Sequence, residues 1–188
     1  MTLFQVSYIF YVGIWLIPPF RQRTTKYLNY FIVLALSEIT SFVLFLFFNI
    51  DQYLIFIFYS YLLVISIIQL NYIKRFSILF LILGLCTIII SLFFPNIKHF
   101  IFVSLHLIIL IIFLKSFILE MLNKKIFLLF GLLLIFYELT IISKYLNLFT
   151  GMTDAYTYFI ITSIFQILFG LFFSLFKAGD NRLFIQLK

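Results

Sequence analysis

The chain has 188 residues, 65% of them hydrophobic and 10% charged, with a mean hydropathy of +1.25 and a formal net charge of +7. No single soluble core of this size hides so much apolar surface, so the composition excludes an ordinary globular domain and indicates an integral membrane protein. A lone cysteine, Cys86, excludes an intrachain disulfide and a cysteine metal cluster, and its place inside an apolar run predicts a packed core residue.

Cutting the chain at its charged, Pro and Asn punctuation leaves seven apolar runs, at roughly 3–19, 28–48, 52–73, 77–94, 99–119, 126–147 and 155–176, each near the length of a spanning helix. The first run ends at Pro18-Pro19, which cannot continue a helix ladder. It has neither the basic start nor the small-residue cleavage site of a signal peptide, and it reads as a retained helix with Tyr11 and Trp15 suited to an interface or a helix contact. The second run carries Glu38 about ten residues, or ~15 Å, from its start. A polar turn from Asn49 to Gln52 leads into the third, whose Gln69 and Asn71 fall near its far end, where hydration is cheap. On the fourth run Ser77, Gly84, Thr87 and Ser91 share a face of small residues of the kind that lets membrane helices approach closely, and Pro95-Asn96 ends it. The fifth contains His106 and the sixth Tyr137 and Glu138, while Lys115 and Lys144 are expected to snorkel toward opposite interfaces. Along the seventh, Tyr158, Thr162, Gln166, Gly170 and Ser174 recur every four residues, which predicts one inward face. The tail from Ala178 to Lys188 is too short to be an effector and suits docking to one.

Threading seven crossings through the membrane places Arg21, Arg23, Lys26, Lys74, Arg75, Lys115, Lys124, Lys125, Lys177, Arg182 and Lys188 on one side, against Lys98 and Lys144 on the other. By the positive-inside rule the basic side is cytoplasmic. The expected fold is therefore all-α: a polytopic bundle of seven transmembrane helices in one domain, 1–188, with its N-terminus outside and its C-terminus cytoplasmic, in the cell inner (plasma) membrane. The basic residues are spread over several short turns rather than one stripe with interleaved aromatics, which argues against nucleic acid and for anionic lipid headgroups.

A charge at bilayer depth costs at least ~2.5 kcal/mol, so it persists where it faces protein or water. Glu38, His106, Glu138 and Gln166, with Tyr137 and Thr162, are thus predicted to form an intramembrane polar cluster. A phosphate loop, a Gly-x-Ser-x-Gly elbow and a His-Glu-x-x-His motif are all missing, so neither catalytic residues nor a cofactor is implied. A metal held by Glu38, His106 and Glu138 would require three helices to converge, and no metal site is expected. Ser37-Glu38-Ile39-Thr40 and Tyr137-Glu138-Leu139-Thr140 echo each other on helices of the same direction. The echo raises the possibility of parallel repeats, runs one to three and five to seven, around the fourth.

With Leu36-Ser37-Glu38-Ile39, the aromatic stretch after Asn49-Ile50-Asp51-Gln52-Tyr53 and a last helix from Tyr158 to Gln166, the chain resembles the small seven-helix integral membrane proteins common in Bacteroidota. That resemblance implies a heptahelical fold and no particular activity. Ser37-Glu38 ahead of Phe42 and Phe45, with Ser104-Leu105-His106 later, is also similar to cytochrome oxidase subunit III, but that family's paired histidines and Trp-His signature are missing. A rhodopsin would need an interior lysine in the last helix, whereas Lys177 lies at its end. The expected function is that of a membrane protein without enzymatic activity, a sensor-like module or an auxiliary subunit of a larger membrane complex, with the lipid bilayer and other membrane subunits as partners. The alternative is a small transporter or proton-linked permease that uses the mid-membrane carboxylates.

Overall fold

In the computed structural model, which describes residues 3–47, 52–68, 70–151 and 154–186, nearly all of the chain is helical. The helices are α1 (Leu3–Trp15), α2 (Pro18–Arg21), α3 (Leu28–Phe47), α4 (Gln52–Ile67), α5 (Leu70–Arg75), α6 (Ser77–Phe93), α7 (Lys98–Lys124), α8 (Leu129–Thr150) and α9 (Ala155–Leu175). Their ends follow local chemistry. Pro18 opens α2, where a missing N–H costs nothing, and Pro95 stands just beyond α6. Lys125 and Gly151 adopt left-handed backbone (φ 51° and 60°) directly after α7 and α8, and the Gly151 N–H caps the Asn147 carbonyl at 2.9 Å.

Three helices, Lys98–Lys124, Leu129–Thr150 and Thr157–Leu175, are long and apolar enough to cross a membrane, and the shorter segments Ile9–Arg21, Leu28–Leu44, Tyr53–Ile67 and Ser77–Phe93 are apolar too. α1 packs on α3, α3 on α4, α4 on α7, α7 on α8, α8 on α9, and α9 back on α1. Six helices thus close a ring. The core inside it is aromatic, with Trp15, Tyr30, Phe31, Phe130, Tyr137 and Phe173 all at most 1% exposed. The outer surface is apolar as well, as at Ile78 (76% exposed), Phe93 (75%) and Leu122 (65%), the arrangement that a hydrocarbon solvent favours.

Several details depart from the expectations above. The third run is two helices, α4 and α5, rather than one. The sixth begins with a strand, β1 (Ile126–Leu128), paired antiparallel with β2 (Phe184–Gln186) of the tail, so the fold is all-α apart from this clasp and the tail folds back on its own chain. Instead of sitting at the centre of two repeats, α6 lies outside the ring against α4 and α7. Cys86 is accordingly exposed on that outlying helix, not packed in the core. Of the small residues on α6, Gly84 and Ser91 are buried and Ser77 is exposed. A Cβ on Gly84 would come within 2.6 Å of the Tyr61 ring, so this position sets how closely α6 docks. The expected turn at 49–51 and Gln69 lie outside the described residues.

At the end of the ring where the tail returns, Gln22 is fully buried and joins three segments. Its amide nitrogen donates to the carbonyls of Phe173 (3.1 Å) and Phe176 (2.7 Å), and its oxygen accepts the Ala178 N–H (3.1 Å). Arg21 donates from Nε to the Leu175 carbonyl at 3.1 Å, and Lys26 bonds Glu120 (2.5 Å) and Ser116 (3.0 Å) near the end of α7. Two of the last carbonyls of α9, those of Phe173 and Leu175, are satisfied in this way.

Candidate functional site

Four buried side chains from four helices form one hydrogen-bonded line through the ring. The Tyr30 hydroxyl on α3 donates to Glu138 Oε1 on α8 at 2.5 Å; Glu138 Oε2 lies 2.7 Å from His106 Nδ1 on α7; and His106 Nε2 lies 3.0 Å from Ser60 Oγ on α4. Each is at most 3% exposed. The helices bring them together because each residue falls on its helix's ring-facing stripe: Glu138 is flanked by buried Leu134, Ile135, Ile141 and Ile142, and His106 by Phe102, Val103, Ile109 and Leu110.

Hydrogen positions along the line are assigned by counting donors. Ser60 has one hydroxyl hydrogen, and its short bond at 2.7 Å goes to the Phe56 carbonyl one turn back. Ser60 Oγ therefore faces His106 as an acceptor, so Nε2 carries a hydrogen. A second hydrogen lies between Nδ1 and Oε2, and Tyr30 supplies the third bond. In this state every heteroatom is satisfied and the Glu138–His106 pair is neutral as a unit, which is what a low-dielectric interior requires. The order hydroxyl, imidazole, carboxylate is that of a nucleophilic triad. Here, however, the hydroxyl is buried and its proton is committed to a carbonyl, so the geometry suits holding and passing a proton rather than attack on a substrate.

Two further sets of polar contacts lie elsewhere in the ring. Tyr11 on α1 donates to Glu38 Oε1 on α3 at 3.2 Å, and Lys144, 7% exposed, donates to Ser163 Oγ (3.0 Å) and Gln166 Oε1 (3.1 Å) on α9 with its ammonium 3.8 Å from the centre of the Phe159 ring. Ser143 and Tyr158 share a hydroxyl hydrogen bond nearby.

The predicted cluster thus divides. His106 and Glu138 meet; Glu38 bonds Tyr11, and Gln166 bonds Lys144. Tyr137 contributes its ring, 4.9 Å from Trp15 and edge-on to Phe169 and Phe173, while Thr162 is buried but bonds the Tyr158 and Phe159 carbonyls of its own helix. Among the described residues no three His, Cys, Asp or Glu side chains gather as metal ligands, and Glu38 stands apart from the His106–Glu138 pair. Lys144 points into the bundle toward α9 instead of snorkelling outward. The α9 stripe does face inward through Thr162, Gln166 and Gly170, and a Cβ on Gly170 would meet Ile14 Cγ2 at 2.7 Å. Sequence reasoning missed Tyr30 and Ser60, since an uncharged hydroxyl in an apolar run gives no signal until its helix has a neighbour. No family model matches the chain, and no curated protein or solved structure is significantly similar to it.

Proposed function

We propose that this chain crosses the plasma membrane seven times, N-terminus outside and C-terminus cytoplasmic, and works without enzymatic chemistry as a sensor-like module in which the Tyr30–Glu138–His106–Ser60 line couples helices from both halves of the ring. The three long apolar helices and four shorter ones support the seven crossings, as does the gathering of Arg21, Lys26, Lys124, Lys125 and Arg182 around the end where α2, the start of α3, the end of α7 and the β1–β2 clasp meet. The observation that carries the sensor reading is the line itself. Its members bond to one another across α3, α4, α7 and α8, so a change at one is felt at the other three. The β1–β2 clasp connects the α7–α8 junction to the tail and gives such a change a cytoplasmic outlet.

The test is hydrogen exchange on the protein in lipid nanodiscs. Glu138→Gln removes the shared proton with little change of shape and should raise exchange in α3, α4 and α7 as well as α8, and at β1–β2. A rise confined to α8 would reduce the line to local packing and overturn the reading.

One observation favours a proton-linked permease as a second reading. The units α1–α3–α4 and α7–α8–α9 have the same neighbour order around the ring, and in each the middle helix carries a glutamate bonded by a side chain of the first, Tyr11 to Glu38 and His106 to Glu138. Duplicated carriers place their sites between such halves. Solute or proton flux in proteoliposomes that is the same for wild type, Glu38→Gln and Glu138→Gln would remove these carboxylates from any transport mechanism.

A further inference from the structure

The corner between α5 and α6 holds a groove of about 370 Å³, lined by Arg75, Phe76, Ser77, Ile78, Leu79 and Ile82. One end of it is basic and the other apolar. Arg75 is exposed, and its guanidinium carbon lies 5.4 Å from the centre of the Phe76 ring, a contact that steadies the arm where it borders the groove. Lys74, the residue before it, is exposed too. Neither pairs with a carboxylate among the described residues, whereas Lys26 and Arg182 are paired with Glu120 and Asp180. The exposed Ser77 adds a hydroxyl to the basic end, and Phe76 gives α6 no side-chain cap.

The apolar end continues beyond the groove. Ile78, Ile82, Leu85 and Ile89 follow at helical spacing and share one face of α6, and Ile82, the least exposed of them, is still 49% exposed. At 1.5 Å per residue the stripe is ~16 Å long, about half of the ~30 Å hydrocarbon core and thus the depth of one leaflet. A soluble anion would use the basic end and leave the stripe bare. A second apolar helix would use the stripe and leave Arg75 without an acceptor. An anionic phospholipid uses both: its phosphate accepts from the Arg75 fork and from Ser77, and an acyl chain lies along Ile78 to Ile89. The second positive charge, on Lys74, disfavours a headgroup whose own ammonium cancels the phosphate. We propose that the α5–α6 groove binds one anionic phospholipid, which covers a face of α6 that no helix of the ring covers.

This inference rests on the membrane placement proposed above and not on the buried Tyr30–Glu138–His106–Ser60 line. Cys86, the sole cysteine, is exposed on α6 one turn from both Ile82 and Ile89, so a fluorescent label there reports contact with brominated acyl chains, which quench at short range. The full chain is placed in phosphatidylcholine nanodiscs containing brominated phosphatidylglycerol as a minor component, then brominated phosphatidylcholine at the same fraction. Quenching should favour phosphatidylglycerol about fivefold in apparent affinity, the preference one well-placed basic residue supplies at a membrane surface. Arg75→Gln should abolish the preference. Ile82→Trp, which keeps every charge but fills the groove, should abolish it as well, with Ile82→Phe as the substitute if the first does not fold. Lys124→Gln, at the end of α7, should leave it unchanged. Equal quenching by the two lipids overturns the proposal, as does a preference that survives Arg75→Gln or the filled groove, since that is general surface charge. Displacement of the brominated lipid by an excess of glycerol phosphate would assign the basic end to a free phosphate ester and overturn it too. A label that no brominated lipid quenches, even as the sole lipid, would refute the membrane placement itself, whereas quenching without preference refutes the site alone.

Discussion

Replacing Glu138 by leucine would leave His106 and Tyr30 buried with donors and nothing to accept them. Breaking one side of a buried pair typically costs about 3–5 kcal/mol, whereas replacing both sides with apolar groups is often close to neutral. Glu138→Leu and His106→Leu should therefore each lower unfolding stability in detergent by that order, while the double variant recovers a large part of the loss. Purely additive losses in the double-mutant cycle would show that the two side chains do not act as a unit. The same pair was the most legible part of the interior, because an ionisable group in an apolar run is rare enough to stand out on its own. Lys144 is as visible in the sequence, but its direction is not. A long aliphatic stem near a helix end permits snorkelling, and only the neighbouring Ser163 and Gln166 of α9 turn it inward.

Among the elements, the tail depends on a side chain that gave no sequence signal. Gln22 closes three backbone groups of α9 and the segment after it, and each of these carbonyls and N–H groups that stays dry without it costs about 1–3 kcal/mol. Gln22→Ala should free the tail, seen as faster limited proteolysis after Leu175, with α7 and α8 as protected as before. Acid provides a complementary probe. The Arg182 side chain bonds Asp180 and, with the Arg182 backbone N–H, holds its carboxyl down to about 2. A carboxyl held below its usual value supports the fold above the unfolded value, near pH 4, and loses that support as pH falls toward about 2. Order at Asn181–Leu183 should thus be constant from neutrality to about pH 4 and decline below it, followed by the amide resonances of 181–186; a change centred near pH 6 would point to another group. The breaks before Pro18 and Pro95 are readable because proline lacks the hydrogen that a continuing ladder needs. The β1–β2 clasp was not, since Ile126-Phe127-Leu128 is as apolar as the helix that follows and its pairing partner lies at the far end of the chain.

At the scale of the molecule, the number of apolar segments was legible and their arrangement was not. Helices that are apolar on every side have no stripe that names a neighbour, so nothing in 77–94 foretold that α6 would leave the ring and let α4 pack directly on α7. Closure of the ring is the strongest claim of the fold, because it puts the first helix beside the last. Ile14 and Gly170 form that seam, with Ile14 Cγ2 2.7 Å from where a Gly170 Cβ would stand. The two Cβ positions are then close enough for a disulfide, which requires roughly 3.5–4.5 Å. In a Cys86→Ser background, Ile14→Cys with Gly170→Cys should oxidise to an intramolecular cross-link, read as a reductant-sensitive shift on a denaturing gel. Gly84→Cys with Ile14→Cys, which joins α1 to the outlying α6, should not. Cross-linking of the second pair, or none in the first while the protein stays folded, would mean that α1 does not close the ring against α9.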